Sequence, residues 1–159
     1  MNWQYSQLKT IQIETTAESF VPELDHDREW RVLIVEDDPL ISLGLSGVLE
    51  VFGYSVCGTV QTGEEAVACA SQLAPDVILM DINLREEMSG IEATQIITAK
   101  SSIPVIYLTA QSSDQTYREA MHGQHYGYLI KPFDACELWS VMKSTCQRVC
   151  RGEGAPSWV

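Results

Sequence analysis

The chain has 159 residues, a length that sustains one domain with short flanking segments and a sizeable core. Ten Lys and Arg against 22 Asp and Glu leave a formal charge of −12, a field that repels phosphate backbones and anionic lipid and argues against direct nucleic-acid binding. No apolar run approaches the ~18 residues of a membrane span and no basic-then-apolar leader opens the chain, so a soluble cytoplasmic protein without membrane association is expected.

Residues 1–30 carry two basic and six acidic side chains, and only "LKTIQIE" (8–14) alternates as a strand does. The segment reads as an acidic arm and linker, with Trp30 able to pack on the domain edge. From Arg31 short apolar runs alternate with helix-length amphipathic segments, the rhythm of a parallel sheet covered by helices on both faces. In chain order the spacing predicts a strand at 31–36, a helix near 39–52, a strand at 54–59, a helix near 63–73, a strand at 76–80 and a helix near 90–100. A strand at 104–108, a helix near 113–122, a strand at 126–130 and a helix near 135–149 follow, with 150–159 as a short tail.

Punctuation supports these boundaries. Asp38-Pro39 combines a strong N-cap with a proline at ease in the first helical position. Thr62 with Glu65, Asp134 with Glu137 and Ser112 with Gln115 have the spacing of capping boxes. Gly53 is a good helix stop, and Pro75, Pro104 and Pro132 all stand at element edges.

The five cysteines, Cys57, Cys69, Cys136, Cys146 and Cys150, are odd in number and form no C-x-x-C pair. They read as reduced, mostly buried small hydrophobes. Cys146 and Cys150 lie four apart, but two thiols without a further ligand make a poor metal site. His122 and His125 straddle Gly123 at an expected helix end, where a cap or surface role is favoured over ligation.

Chemistry gathers at the strand ends. In a parallel α/β sheet the carboxyl ends of the strands share one edge, where ligands bind. The first strand delivers Glu36 and Asp37 there, the third Asp81, the fourth Thr109 and the fifth Lys131. Capping accounts for Asp38 but for neither Glu36 nor Asp37. Like charges this close must stay hydrated or find a cation, and a cluster of carboxylate oxygens suits magnesium with a phosphate oxygen. Lys131 adds a positive charge for phosphate and Thr109 a hydroxyl donor. No glycine-rich phosphate loop accompanies them, which argues against a cradled nucleotide.

With "LIVEDD", "ILMDINL", "IPVIYLTA" and "GYLIKPF" in that order, residues 31–149 resemble the receiver domain of two-component response regulators. The resemblance implies a flavodoxin-like (βα)5 doubly wound sheet with strand order 2-1-3-4-5. It implies that Asp81 takes a phosphoryl group from a sensor histidine kinase or phosphotransfer protein. Asp37 would bind Mg2+ directly, Glu36 directly or through water, and Asn83 through its backbone carbonyl, with Asp81 completing the set. Thr109 and Lys131 would contact the phosphoryl oxygens, Tyr128 would turn inward as Thr109 moves, and the Lys131-Pro132 bond would be cis. Glu36 departs from the aspartate of many members, and "REEM" (85–88) adds two carboxylates to the loop after Asn83.

Two other readings compete. A phosphatase of the haloacid dehalogenase type also uses a strand-end Asp and magnesium, but its D-x-D has Asn83 at the second position here, which disfavours turnover of external phosphoesters. A pseudo-receiver scaffold conflicts with the intact Asp37, Asp81, Thr109 and Lys131. The expected form is a stand-alone receiver that catalyses its own phosphorylation and dephosphorylation and is not otherwise an enzyme. Its output face would be the fourth helix, fifth strand and fifth helix, binding an effector protein or a second copy, with Trp139 as an anchor if it stays exposed.

Overall fold

The computed structural model describes residues 28–85, 87–110 and 125–156. Strand β1 (Arg31–Val35) leads into helix α1 (Pro39–Val51), β2 (Ser55–Val60) into α2 (Gly63–Leu73) and β3 (Val77–Asp81) into α3 (Gly90–Thr98). Strands β4 (Val105–Ala110) and β5 (Gly127–Lys131) and a C-terminal helix (Ala135–Cys150) complete the described elements. The helix expected near 113–122, with its Ser112–Gln115 box, and His122 lie outside the described residues.

All strands pair in parallel, in the order β2-β1-β3-β4-β5. All five residues of β3 are buried, which only a sheet covered on both faces provides. Side chains alternate between the faces. Val32, Ile34, Val77 and Leu79 meet Leu45 and Leu49 of α1 and Leu138, Met142 and Cys146 of the C-terminal helix. Leu33, Val35, Ile78 and Met80 meet Ala66 and Ala70 of α2 and Ile91, Ala93 and Ile97 of α3. This is the expected doubly wound, flavodoxin-like architecture. The order of the chain reverses between β1 and β3, which opens a crevice at their carboxyl ends.

The caps hold each helix start at that edge. Asp38 accepts from the amides of Leu40 at 2.8 Å and Ile41 at 3.3 Å, and Thr62–Glu65 and Asp134–Glu137 form the expected capping boxes. A third box, Ser89–Glu92, opens α3. Gly53, at φ 84°, lets the chain leave α1.

Three expectations are corrected. Of the cysteines only Cys146 is buried; Cys57 and Cys69 are half-buried, and Cys136 and Cys150 are exposed because they lie on the outer face of the C-terminal helix. His125 is neither a cap nor a surface residue: it is fully buried, its ring 5.4 Å from that of Tyr107, because it lies two residues before the strand that pairs with β4. Trp30 does more than edge the domain. It is 2% exposed in the core, with the Arg28 guanidinium 4.3 Å from its ring, and Arg28 pairs with Asp76.

Candidate functional site

The apolar run of β1 ends at Val35, beside Met80 of β3, so the residues that follow, Glu36 and Asp81, emerge side by side at the crevice. Asp38 is occupied in capping α1, and Glu36 and Asp37 are left to the crevice. Glu36 is 1% exposed and Asp81 4%, so both carboxylates are out of bulk water. Oxygens of Glu36, Asp37 and Asp81 all lie within 4.8 Å of one another.

Lys131 reaches this cluster from the end of β5. Its Nζ donates to Glu36 Oε2 at 2.6 Å and to Asp81 Oδ2 at 2.7 Å. The other oxygen of Asp81 accepts the backbone amide of Asn83 at 2.8 Å, and the amide of Asp38 lies 3.2 Å from Glu36 Oε1. Asp81 is therefore fixed in one orientation by a donor on each oxygen. The Lys131-Pro132 peptide is cis, as expected.

The charges perturb one another. Burial pushes the Glu36 carboxyl above its usual range, and the negative charge of Asp81 adds to this, while the hydrogen bond from Lys131 opposes it. Burial works against the ammonium of Lys131, but its hydrogen bonds to Asp81 and Glu36 outweigh that and the lysine is held above its ordinary value.

Asp37 is held differently. Its Oδ2 is buried and accepts no hydrogen bond, although Arg85 Nε stands 2.7 Å away as an ion-pair partner without hydrogen-bond alignment. A buried carboxylate oxygen without a donor, among two further carboxylates, is a donor set that fits a hard divalent cation such as Mg2+.

Thr109 and Tyr128 lie near the same edge. Thr109 is buried one residue beyond Leu108, the β4 partner of Asp81, and its hydroxyl donates to the Ala110 carbonyl at 2.9 Å. Tyr128 pairs in register with Tyr107 and is half-buried against the α2–α3 core. With Thr109 opposite Ile130, the alternation of side chains puts Thr109 and Tyr128 on one face of the sheet. Asn83 has an exposed side chain and joins the site through its backbone.

Gly90 makes the site's geometry possible. A Cβ there would stand 2.0 Å from the Asp81 carbonyl oxygen, so the start of α3 approaches the end of β3 as only glycine permits.

The sequence matches the family model of the response regulator receiver domain over residues 32–143, most of the chain. The chain belongs to the response regulator receiver family. The receiver domain is 35% identical over 124 residues to the transcriptional regulatory protein PdtaR of Mycobacterium tuberculosis, covering 78% of this chain and 57% of PdtaR. It is 39% identical over 89 residues to the phyllosphere-induced regulator PhyR of Methylorubrum extorquens, covering 55% of this chain and 33% of PhyR. Among solved structures it is similar to the signal receiver domain of a modulated diguanylate cyclase from Desulfovibrio desulfuricans G20. The TM-score there is 0.74 at 35% identity, over 79% of this chain and all of the other. The chain spans about half the length, or less, of the curated relatives it matches. Its acidic pocket is of the kind in which receiver domains hold Mg2+. Among the described residues no helix is long and apolar enough to cross a membrane.

The structure thus brings Glu36, Asp37, Asp81 and Lys131 together, with Asn83 attached by its amide. Arg85 was missed. The "REEM" loop drew attention through its carboxylates, whereas its arginine, four residues after Asp81 on the same edge, is the side chain that touches the cluster.

Proposed function

We propose that this receiver domain accepts a phosphoryl group on Asp81 from a sensor histidine kinase or a phosphotransfer protein, in a magnesium-dependent reaction. The phosphorylated form binds a downstream protein or passes the group on in a phosphorelay. The observation that carries the reading is one buried pocket in which Lys131 Nζ lies 2.7 Å from Asp81 Oδ2 and the oxygens of Glu36 and Asp37 lie alongside.

A carboxylate oxygen of Asp81 attacks phosphorus in line. The P–N bond to the donor imidazole breaks with its electron pair left on the ring nitrogen, and a P–O bond forms to give an acyl phosphate. Glu36, Asp37, Asp81 and the Asn83 carbonyl are the ligands assigned to Mg2+, which when bound supplies charge neutralisation at the transferring group. The ammonium of Lys131, already at Asp81, is assigned to a phosphoryl oxygen, and the Thr109 hydroxyl to another. The same pocket serves dephosphorylation by water, so the domain catalyses its own gain and loss of the group and turns over no external phosphoester.

Output is assigned to the shared face of Thr109 and Tyr128 and, beyond it, to the surface of β5 and the C-terminal helix. A phosphoryl group moves an equilibrium only through contacts that differ between two states, and Thr109 is the hydroxyl placed to make them. Trp139, half-buried on the C-terminal helix with Lys143 Nζ 4.7 Å from its ring, is the aromatic anchor offered to an effector or a second copy. The charge of −12 speaks against nucleic acid and anionic membranes as targets and fits a cytoplasmic partner.

Incubation with acetyl phosphate and Mg2+ should add the mass of one phosphoryl group, and Asp81→Asn should not gain it. Labelling that survives the substitution refutes the assignment.

A further inference from the structure

Three carboxylates in one pocket are shared between two cations of very different character. Lys131 serves Glu36 and Asp81 through two short hydrogen bonds and is mostly covered. Arg85 serves Asp37 alone, with a side chain 79% exposed that reaches in from the loop between Asn83 and α3. Its Nε stands 2.7 Å from Asp37 Oδ2, yet that buried oxygen accepts no hydrogen bond. The guanidinium therefore neutralises Asp37 without satisfying it.

A divalent cation of the magnesium type takes carboxylate oxygens at about 2.0–2.1 Å and requires near-octahedral surroundings. With Arg85 Nε 2.7 Å from Asp37 Oδ2, a guanidinium and a cation bound to that carboxylate would stand close together, and the two positive charges would repel. We infer that Arg85 is an internal competitor for Asp37: it occupies the carboxylate when the metal is away and is released to solvent when a divalent cation binds. The inference rests on the reading that Asp37 is a metal ligand, and it makes Arg85 a residue that sets metal affinity without itself being a ligand. Lys131 does not contend for Asp37, because its two hydrogen bonds go to the other two carboxylates.

The test titrates MgCl2, at constant ionic strength, into the full chain and into Arg85→Ala, by calorimetry and by nitrogen-15 spectra of the arginine side chain. An ion pair whose cation lies mostly in solvent contributes little, so its removal should tighten magnesium binding by about two- to fivefold. In the unsubstituted chain the Arg85 Nε–H resonance should move towards that of free arginine, with a midpoint equal to the calorimetric Kd. Equal or weaker binding by Arg85→Ala, or an Arg85 resonance that saturating magnesium leaves in place, overturns the inference while the metal site stands. Absence of magnesium binding by both chains overturns the metal reading itself, and the competition with it.

Discussion

Replacing Lys131 with methionine keeps the length and apolar stem of the side chain while taking the ammonium out of the pocket. Glu36 and Asp81 then face each other with no cation between them, at 1% and 4% exposure. Two charge-assisted hydrogen bonds, at 2.6 and 2.7 Å, are lost, each worth about 1.5–3 kcal/mol. Against this, the lysine side chain is only 20% exposed, so its own burial no longer opposes folding, a recovery of about 1–2 kcal/mol. The net expectation is a loss of about 2–4 kcal/mol in metal-free buffer, at the lower end of what breaking a buried pair causes. Magnesium should narrow the gap, because the substituted pocket binds a cation more avidly. A ligand that binds only the native state adds about 1.4 kcal/mol at ten times its Kd. Urea unfolding of both chains, in EDTA and in excess MgCl2, measures all four stabilities. A loss below about 0.5 kcal/mol in EDTA, within the range of an ordinary surface change, would refute the claim that Lys131 neutralises the pair.

Gly90→Ala places a methyl group 2.0 Å from the Asp81 carbonyl oxygen, so backbone must move, and a loss of about 3–5 kcal/mol with weakened magnesium binding is expected from urea unfolding and calorimetry. The raised Glu36 carboxyl gives a pH signature in EDTA. Between its ordinary value of 4.5 and its raised one, the folded chain holds a proton that the unfolded chain releases, so stability should fall as pH rises through that window, and Glu36→Gln should flatten the slope. Thr109→Ala removes the hydrogen bond to the Ala110 carbonyl, for a loss of about 0.5–1.5 kcal/mol. It should still take up phosphoryl from acetyl phosphate while the Tyr128 resonances stop responding to beryllofluoride; a normal Tyr128 response would disconnect the two residues.

Much of this was legible because local and global signals agree. Apolar runs such as "VILM" belong only in a strand covered on both faces, and Asp38-Pro39, Thr62–Glu65 and Asp134–Glu137 mark their helix starts within the sequence itself. The convergence of Glu36, Asp37, Asp81 and Lys131 followed from the shared edge of parallel strands. What escaped depends on contacts with no local signature. His125 stands two residues after Gly123 at what reads as a helix end, and only the pairing of Gly127 with Ile106 carries it into the core. Arg85 looked like one more loop charge, since a long flexible side chain reveals its partner only when the chain ends of β1 and β3 are side by side. The exposure of Cys136 and Cys150 was similarly hidden, because a small hydrophobe fits either face of a helix.

The pocket joins residues that are remote along the chain. Lys131 meets Asp81 across 50 positions and Glu36 across 95, so no short segment holds even a partial copy of the arrangement. Its last contributor rides on β5, an outermost strand with a neighbour on one side only. Among the described residues that strand is held by β4 and the C-terminal helix, which passes so near that a Cβ on Gly127 would lie 2.7 Å from Val141 Cγ1. Edges of a sheet open more readily than its centre, through motions well short of global unfolding. A peeled β5 would carry the ammonium away while β1 and β3 kept their carboxylates side by side. The domain can thus lose its chemistry before it loses its fold, and damage to the seam between β5 and the C-terminal helix, far from any acidic residue of the pocket, is felt there first.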